Sequence, residues 1–179
     1  MAEISAKLVK ELREKTGAGM MDCKEALAAS GADMTKAVEF LRKKGLATAQ
    51  KRSGRATSEG TLAAYIHMGG KLGVLVEVNS ETDFVAKNDQ FQEFAKNIAM
   101  HIAASSPLGI RPEDVPPEVV AKEREIYAAQ ARETGKPEKV IEKIVEGKLK
   151  KFFEDSCLLQ QRYVRNPDIT VGDLLNELI

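Results

Sequence analysis

The chain opens with apolar residues at four-residue spacing: Ile4, Leu8 and Leu12 in "EISAKLVKELREKTGAG". That spacing puts one apolar stripe on one face of an α-helix, and Gly17 and Gly19 stop it. A second helix is expected from about Met20 to Ala29, with Met20, Cys23 and Leu27 on its inward stripe. Met21 sits about 100° round from Met20, off that stripe. It has two readings: a partly buried bundle edge, or an exposed, adaptable apolar contact for a partner protein. Met34, Ala37, Val38 and Leu41 form a third stripe. Asp33 is placed to cap that helix and Gly45 to stop it. Three short helices with tight turns predict a bundle over residues 1–54, with a small core.

The period then changes to two. "TLAAYIHMGGKLGVLVEVN" predicts a β-hairpin over residues 61–79. A two-residue Gly69-Gly70 loop would put Tyr65 and His67 on the face of Leu72, Val74, Val76 and Val78. A three-residue loop, Gly69 to Lys71, instead joins Leu62, Ala64, Ile66 and Met68 to those four. Burial favours the second register, because a one-residue slip moves a whole strand's side chains to the other face. Tyr65, His67, Leu75 and Glu77 are then expected on the opposite face. Phe91, Phe94, Ala95, Ile98 and Ile102 follow a helical period and predict a long helix over 89–105 across the hairpin's inward face. Asp89 and Gln92 stand at capping-box positions. Between strand and helix lies "TDFVAK", a short connection with a phenylalanine at its tip. Phe84 either tucks under the long helix as a staple or projects as a wedge, and the pattern alone does not separate the two.

Pro107, Pro112, Pro116 and Pro117 punctuate the next connection. Val119 to Glu133 and Glu138 to Asp155 read as antiparallel helices around "TGKP", a helical hairpin over 118–155. Val140, Ile144, Val145 and Phe152 supply the second helix's stripe, and abundant Lys and Glu suit a projecting, solvated element. "LLQQRYVRNPDIT" reads as an irregular return, after which Thr170 caps a last helix ending at Ile179. The fold class is therefore α+β, with chain enough for one or two domains and a small antiparallel sheet. A two-stranded sheet is marginal without packing. Either the long helix suffices, or another chain completes the sheet, or a strand has been lost.

Composition narrows the function. The 179 residues carry 27 Lys and Arg against 27 Asp and Glu, so no net field draws nucleic acid or membrane. Cys23 and Cys157 are far apart, and with only His67 and His101 added they form no readable metal-ligand cluster. No metal or cofactor is expected. No apolar run approaches the roughly 18 residues of a membrane span. "MAEISAKLVK" lacks a secretory signal's apolar stretch, so a cytosolic-type compartment is the simplest reading, with an organelle matrix also open. His67 has no Ser, Cys or carboxylate in a triad arrangement and reads as a surface histidine. No GxxxxGK[ST] loop is present, and no enzyme is indicated. "RKKGLATAQKRSGR", Arg42 to Arg55, holds six basic residues and no acid. It reads as a solvated helix end and linker, since no aromatic is interleaved for base stacking. A small RNA-binding helical protein is the runner-up that rests on this run.

The longer motifs carry a resemblance. "LVKELREKTGAGMMDCKEAL" (Leu8 to Leu27) and "EVNSETDFVAKN" (Glu77 to Asn88) resemble the two signatures of bacterial and organellar translation elongation factor Ts, and "HIAASSPLGIRPEDV" and "VEGKLKKFFEDSCLL" resemble its core. The resemblance covers essentially the whole chain. It implies a guanine-nucleotide exchange factor, not an enzyme, that binds elongation factor Tu in its GDP-bound and nucleotide-free states. It implies a ubiquitin-associated-like (UBA-like) three-helix docking domain at 1–54 and a core domain at 55–179. By the family's motifs Arg13, Met20 and Met21 belong to the docking contact. Thr82, Asp83, Phe84 and Val85 match the segment that intrudes beside the partner's magnesium and nucleotide. Phe84 is then a wedge. His67 matches the family's hairpin histidine loosely. The length leaves room for one core module, which resembles short family members that work as homodimers. Such members continue past the last helix into a further strand, whereas this chain stops at Ile179. Neither direct nucleic-acid binding nor a membrane is implied.

Overall fold

Ser5 starts the first helix in a computed structural model that describes residues 4–52 and 54–178. Its hydroxyl accepts from the Leu8 N–H, and helix α1 runs Ala6–Thr16. Gly17, at φ 71°, ends it by donating its N–H to the Arg13 carbonyl at 2.8 Å. A residue with a Cβ disfavours that left-handed turn, so glycine is the stop. Helix α2 covers Met20–Ala29. The Asp33 carboxylate accepts from the N–H groups of Thr35 and Lys36 and caps α3, Met34–Arg52. The Lys36 N–H bond, first among the causes, holds the Asp33 carboxyl below its ordinary value. Val9, Leu12, Cys23, Ala26, Leu27 and Ala37 form the core between these helices.

Two expectations fail in this region. Met20 is not on the inward stripe but 57% exposed, because Cys23, Ala26 and Leu27 already fill the space between the helices. Gly45 does not stop α3, which runs on to Arg52. A helix-interior glycine costs only about 1 kcal/mol against alanine, and the residues after it are good helix formers. One basic side chain of that run has a structural task. Lys44 donates to Asp22 at 2.8 Å and Glu25 at 2.6 Å, pinning α3 to α2. The two acceptors, Asp22 first, push its ammonium up to about 12.

The chain divides into two compact units: residues up to Arg55 with the chain end from Asn176, and Ala56–Leu175. The second is built on β1 (Glu59–Ile66) and β2 (Gly73–Ser80), an antiparallel pair. Thr61 faces Val78, Ala63 faces Val76 and Tyr65 faces Val74. This is the register centred on Gly69-Gly70, not the three-residue loop that total burial favours. His67 closes the loop by donating to the Leu72 carbonyl at 2.9 Å, and Gly69 and Gly70 take positive φ of 91° and 69°. Tyr65 and His67 thus share the valines' face rather than the opposite one. The reason is fit. Ala63 packs against Ala95 and Ala99 of α5 (Asp89–Ser105), where larger side chains would hold helix and sheet apart. Leu62, Ile66 and Leu75 are left facing out at 67%, 74% and 72% exposure.

Between the hairpin and α5 stands α4, the single turn Asp83–Ala86. The N-cap of α5 is Asn88, not Asp89: its side chain accepts from Gln90 N–H at 2.8 Å. Gln92 makes no capping box and reaches instead to Thr61 and the Ala86 carbonyl. Helices α6 (Pro117–Arg132) and α7 (Glu138–Ser156) pair through Ala131, Ile141, Val145 and Leu149. Val145 and Ile144 lie on the stripe as expected, but Val140 is 40% exposed and Ile141 takes its place. The return is less irregular than its sequence suggests. Strands β3 (Arg162–Tyr163) and β4 (Asn166–Thr170) form a second small antiparallel pair. Thr170 and Asp173 cap each other at the start of α8 (Val171–Leu178). The molecule is mixed helix and sheet, and the expectation of an α+β class holds.

The uninterrupted α3 makes a checkable forecast. Nothing lies within 4 Å of a Cβ built on Gly45. Gly45→Ala should therefore stabilise the protein by about 0.5–1 kcal/mol in urea unfolding. Had Gly45 been a left-handed stop, the same change would destabilise it.

Candidate partner-binding site

The site segment is "TDFVAK". Thr82 is the N-cap of α4, its hydroxyl accepting from the Val85 N–H at 3.4 Å. Below it the buried Ser80 hydroxyl donates to the Thr82 carbonyl at 2.9 Å. Ala86 is the one buried residue of the turn, and its carbonyl accepts from the Gln92 side-chain amide. Gln92 also donates to the Thr61 hydroxyl at 3.0 Å, so the turn is fastened to both β1 and α5. Phe84 lies two residues before Ala86, about 200° round the helix. With Ala86 pointing in, Phe84 points out, and it is 83% exposed. Val85 beside it is 46% exposed. The staple reading of Phe84 is overturned: Ala86 occupies the position under the turn.

Asp83 is not idle in the free chain. Lys87, one turn on, donates to its Oδ2 at 2.9 Å. That bond holds the Asp83 carboxyl below its usual value and pushes the Lys87 ammonium above its own. Lys87 is exposed and Asp83 about half so, and such a solvent-screened pair adds little to stability. Asp83 is a carboxylate at neutral pH, carried next to an apolar projection.

The other expected site residues fall in two places. Arg13, Met20 and Met21 belong to the first unit and flank the turn at 17–19, Arg13 in the last turn of α1 and the methionines at the start of α2. Met21 is 76% exposed, which removes the reading of a partly buried bundle edge. His67 lies in the second unit at the hairpin loop, with Nδ1 3.0 Å from the Tyr65 hydroxyl. α4 follows the opposite end of β2, and an eight-residue strand is roughly 25 Å long. The structure therefore does not bring His67 together with Phe84. Among the described residues, no group of three or more His, Cys, Asp or Glu could hold a metal ion, and no helix is long and apolar enough to cross a membrane. Sequence reasoning named none of the anchors Ser80, Gln92 and Ala86 for what they do here. The apolar outer face at Leu62, Ile66 and Leu75 was also missed, because it follows from the register.

Comparison with known proteins fits this arrangement. The family model described as Elongation factor TS matches residues 4–178. This chain belongs to the elongation factor Ts family. It is 66% identical over 179 residues to the elongation factor Ts of Desulfosudis oleivorans, covering all of this chain and 90% of that relative. It is 61% identical over 176 residues to that of Syntrophobacter fumaroxidans, covering 98% and 88%, and 60% identical over 176 residues to that of Geobacter sulfurreducens, covering 98% and 82%. Membership places the chain among the elongation factors of protein biosynthesis. The matched span includes "TDFVAK".

The anchoring of α4 predicts opposite outcomes for two neighbouring substitutions. Phe84→Ala should leave the melting temperature within about 1 °C, since an exposed side chain away from packing contributes within about 0.5 kcal/mol. Ala86→Leu should lower it, as overpacking costs about 1–3 kcal/mol. Thermal melts followed by circular dichroism read both. A large loss in the first variant would mean that Phe84 packs inward.

Proposed function

We propose that this chain is a guanine-nucleotide exchange factor that promotes GDP release from elongation factor Tu, with Phe84 as its wedge. Family membership supports the class of partner. The observation that carries the mechanism is a phenylalanine 83% exposed on a helical turn fastened from beneath. The chain performs no chemical step of its own in this reading and needs no cofactor. Residues 1–54 act as the UBA-like docking domain, through Arg13, Met20 and Met21, and residues 55–179 as the core that carries Thr82, Asp83, Phe84 and Val85 to the nucleotide site. The setting is the bacterial cytoplasm.

Magnitudes decide what the wedge must do. A nucleotide bound at nanomolar affinity is held by about 12 kcal/mol. A factor that accelerates its release a thousandfold lowers the release barrier by only about 4 kcal/mol. It does so by preferring the nucleotide-free partner, and the preference is reciprocal. Burying an exposed phenylalanine in a partner pocket supplies roughly 1.5–3 kcal/mol. The remainder comes from moving partner groups away from the magnesium, so that the phosphates lose their counter-charge. Asp83 assists once Lys87 lets go, by repelling phosphate or by holding a displaced partner group. His67 would contact a second area of the partner, roughly 25 Å from the wedge.

The direct test is stopped-flow release of a fluorescent GDP from elongation factor Tu. The chain should accelerate it, and Phe84→Ala should slow that release by roughly 10- to 200-fold if the whole burial is lost. Release by the variant at the unaltered rate would reject the wedge.

The same reading includes a homodimer formed through the core. The outward Leu62, Ile66 and Leu75 make an apolar face on a two-stranded sheet whose edges pair with no further strand among the described residues. A second copy laid on that face in a two-fold arrangement would cover it. Sedimentation at micromolar concentration should then give a dimer, and Leu75→Glu a monomer with unchanged helix content. A wild-type monomer with full exchange activity would show that one copy suffices.

A further inference from the structure

On α5, away from the exchange site, His101 is completely buried and both its ring nitrogens have partners on the returning chain. The Val164 N–H donates to Nδ1 at 3.2 Å, and Nε2 lies 3.0 Å from Gln161 Oε1. The orientation of the Gln161 amide is fixed independently. Its NH2 donates to the Asp155 carbonyl at 2.8 Å and to the Ser105 carbonyl at 3.3 Å, which leaves Oε1 as the acceptor facing the imidazole. A neutral imidazole has one donor and one acceptor. Here the donor must be Nε2–H and the acceptor Nδ1. One side chain thus ties α5 to β3–β4, and through Gln161 to the end of α7.

The charged form does not fit this arrangement. An imidazolium offers two donors and no acceptor, so a proton on Nδ1 would face the Val164 N–H. Among the described residues, no carboxylate makes a hydrogen bond or ion pair with the His101 ring. The Tyr163 ring lies 6.1 Å from the imidazole centroid. Arg162 donates to the Asp168 carbonyl, Arg165 to Asn97, and Asp155 accepts from Lys151. Burial also lowers the proton affinity of His101, against a smaller opposing pull from the Gln161 bond.

We propose that His101 is an acid-sensitive latch on the β3–β4 hairpin: a proton on Nδ1 expels the Val164 N–H and frees the hairpin from α5. The sign follows from linkage. The folded state holds His101 neutral and so binds fewer protons than the unfolded chain. The latch contributes fully above the ordinary histidine value of about 6.5 and is lost as pH falls through the lower folded value.

Amide hydrogen exchange of the full chain between pH 7.5 and 5, read by NMR beside the two histidine signals, tests this. After correction for intrinsic rates, protection at Val164 and at Val171, whose N–H donates to the Gln161 carbonyl, should fall by up to about tenfold per pH unit as pH drops from about 6.5 towards the His101 titration, and level off below it. Amides of Val145 and Leu149 in α7 should keep their protection. His101→Asn, which cannot titrate, should lose the pH dependence. Gln161→Glu should move the His101 titration upward, because a carboxylate favours the imidazolium. Protection at Val164 that stays flat from about pH 6.5 down to the His101 titration would overturn the latch. So would simultaneous loss at the α7 amides, a wild-type pH slope in His101→Asn, or an unmoved titration in Gln161→Glu.

Discussion

The contact of Ala63 with Ala95 and Ala99 is the constraint on which the second unit depends. Three methyl groups let α5 lie close on the hairpin, and close-packed interiors hold such a spacing firmly. Once Ala63 is inside, the pleat assigns every other residue of the pair. Val74, Val76 and Val78 turn in with Tyr65, and Leu62, Ile66 and Leu75 turn out. Thr61 comes within reach of Gln92, and Gln92 reaches the carbonyl of Ala86. The direction in which Phe84 points is thus decided one strand away, by the size of an alanine.

The first unit shows the same division of labour on a smaller scale. Its core is six residues, among them Cys23, whose thiol lies 3.7 Å from the Ala18 carbonyl. Capping at Ser5 and Asp33 and the Lys44 bridge to Asp22 and Glu25 hold the helices, leaving Met20 and Met21 exposed. In both units large apolar side chains, Met20 and Met21 in one and Phe84 in the other, stand exposed at the start of a helix. Charge stands beside both, Arg13 near the methionines and Asp83 next to Phe84, and that acid already has Lys87.

Much of this was legible in the sequence. Helical period located the elements around Leu12, Leu27, Phe94 and Val145, and the long signatures pointed to the family that comparison then showed. The failures share a cause: local pattern measures how apolar a face is and not whether its side chains fit. Leu62, Ala64, Ile66 and Met68 outweigh Thr61, Ala63 and Tyr65 in hydrophobicity, yet only the smaller set fits against α5. Val140 lost its place to Ile141 in the same way. Gly45 was read as a stop because isolated glycines often are, but no left-handed φ is demanded there. The roles of Ser80, Gln92 and His101 were not legible, since their partners Thr82, Thr61, Gln161 and Val164 are set by tertiary approach.

The fastening of α4 has an entropic consequence for any encounter. Fixing the backbone of one residue costs roughly 1–2 kcal/mol. Were Thr82 to Ala86 a mobile loop, ordering those residues on contact would cost more than burying one phenylalanine returns. Thr82, Ser80, Gln92 and Ala86 bring that ordering forward into folding itself. A collision therefore meets a backbone turn already in place, and only the exposed Phe84 side chain is left to be ordered on contact.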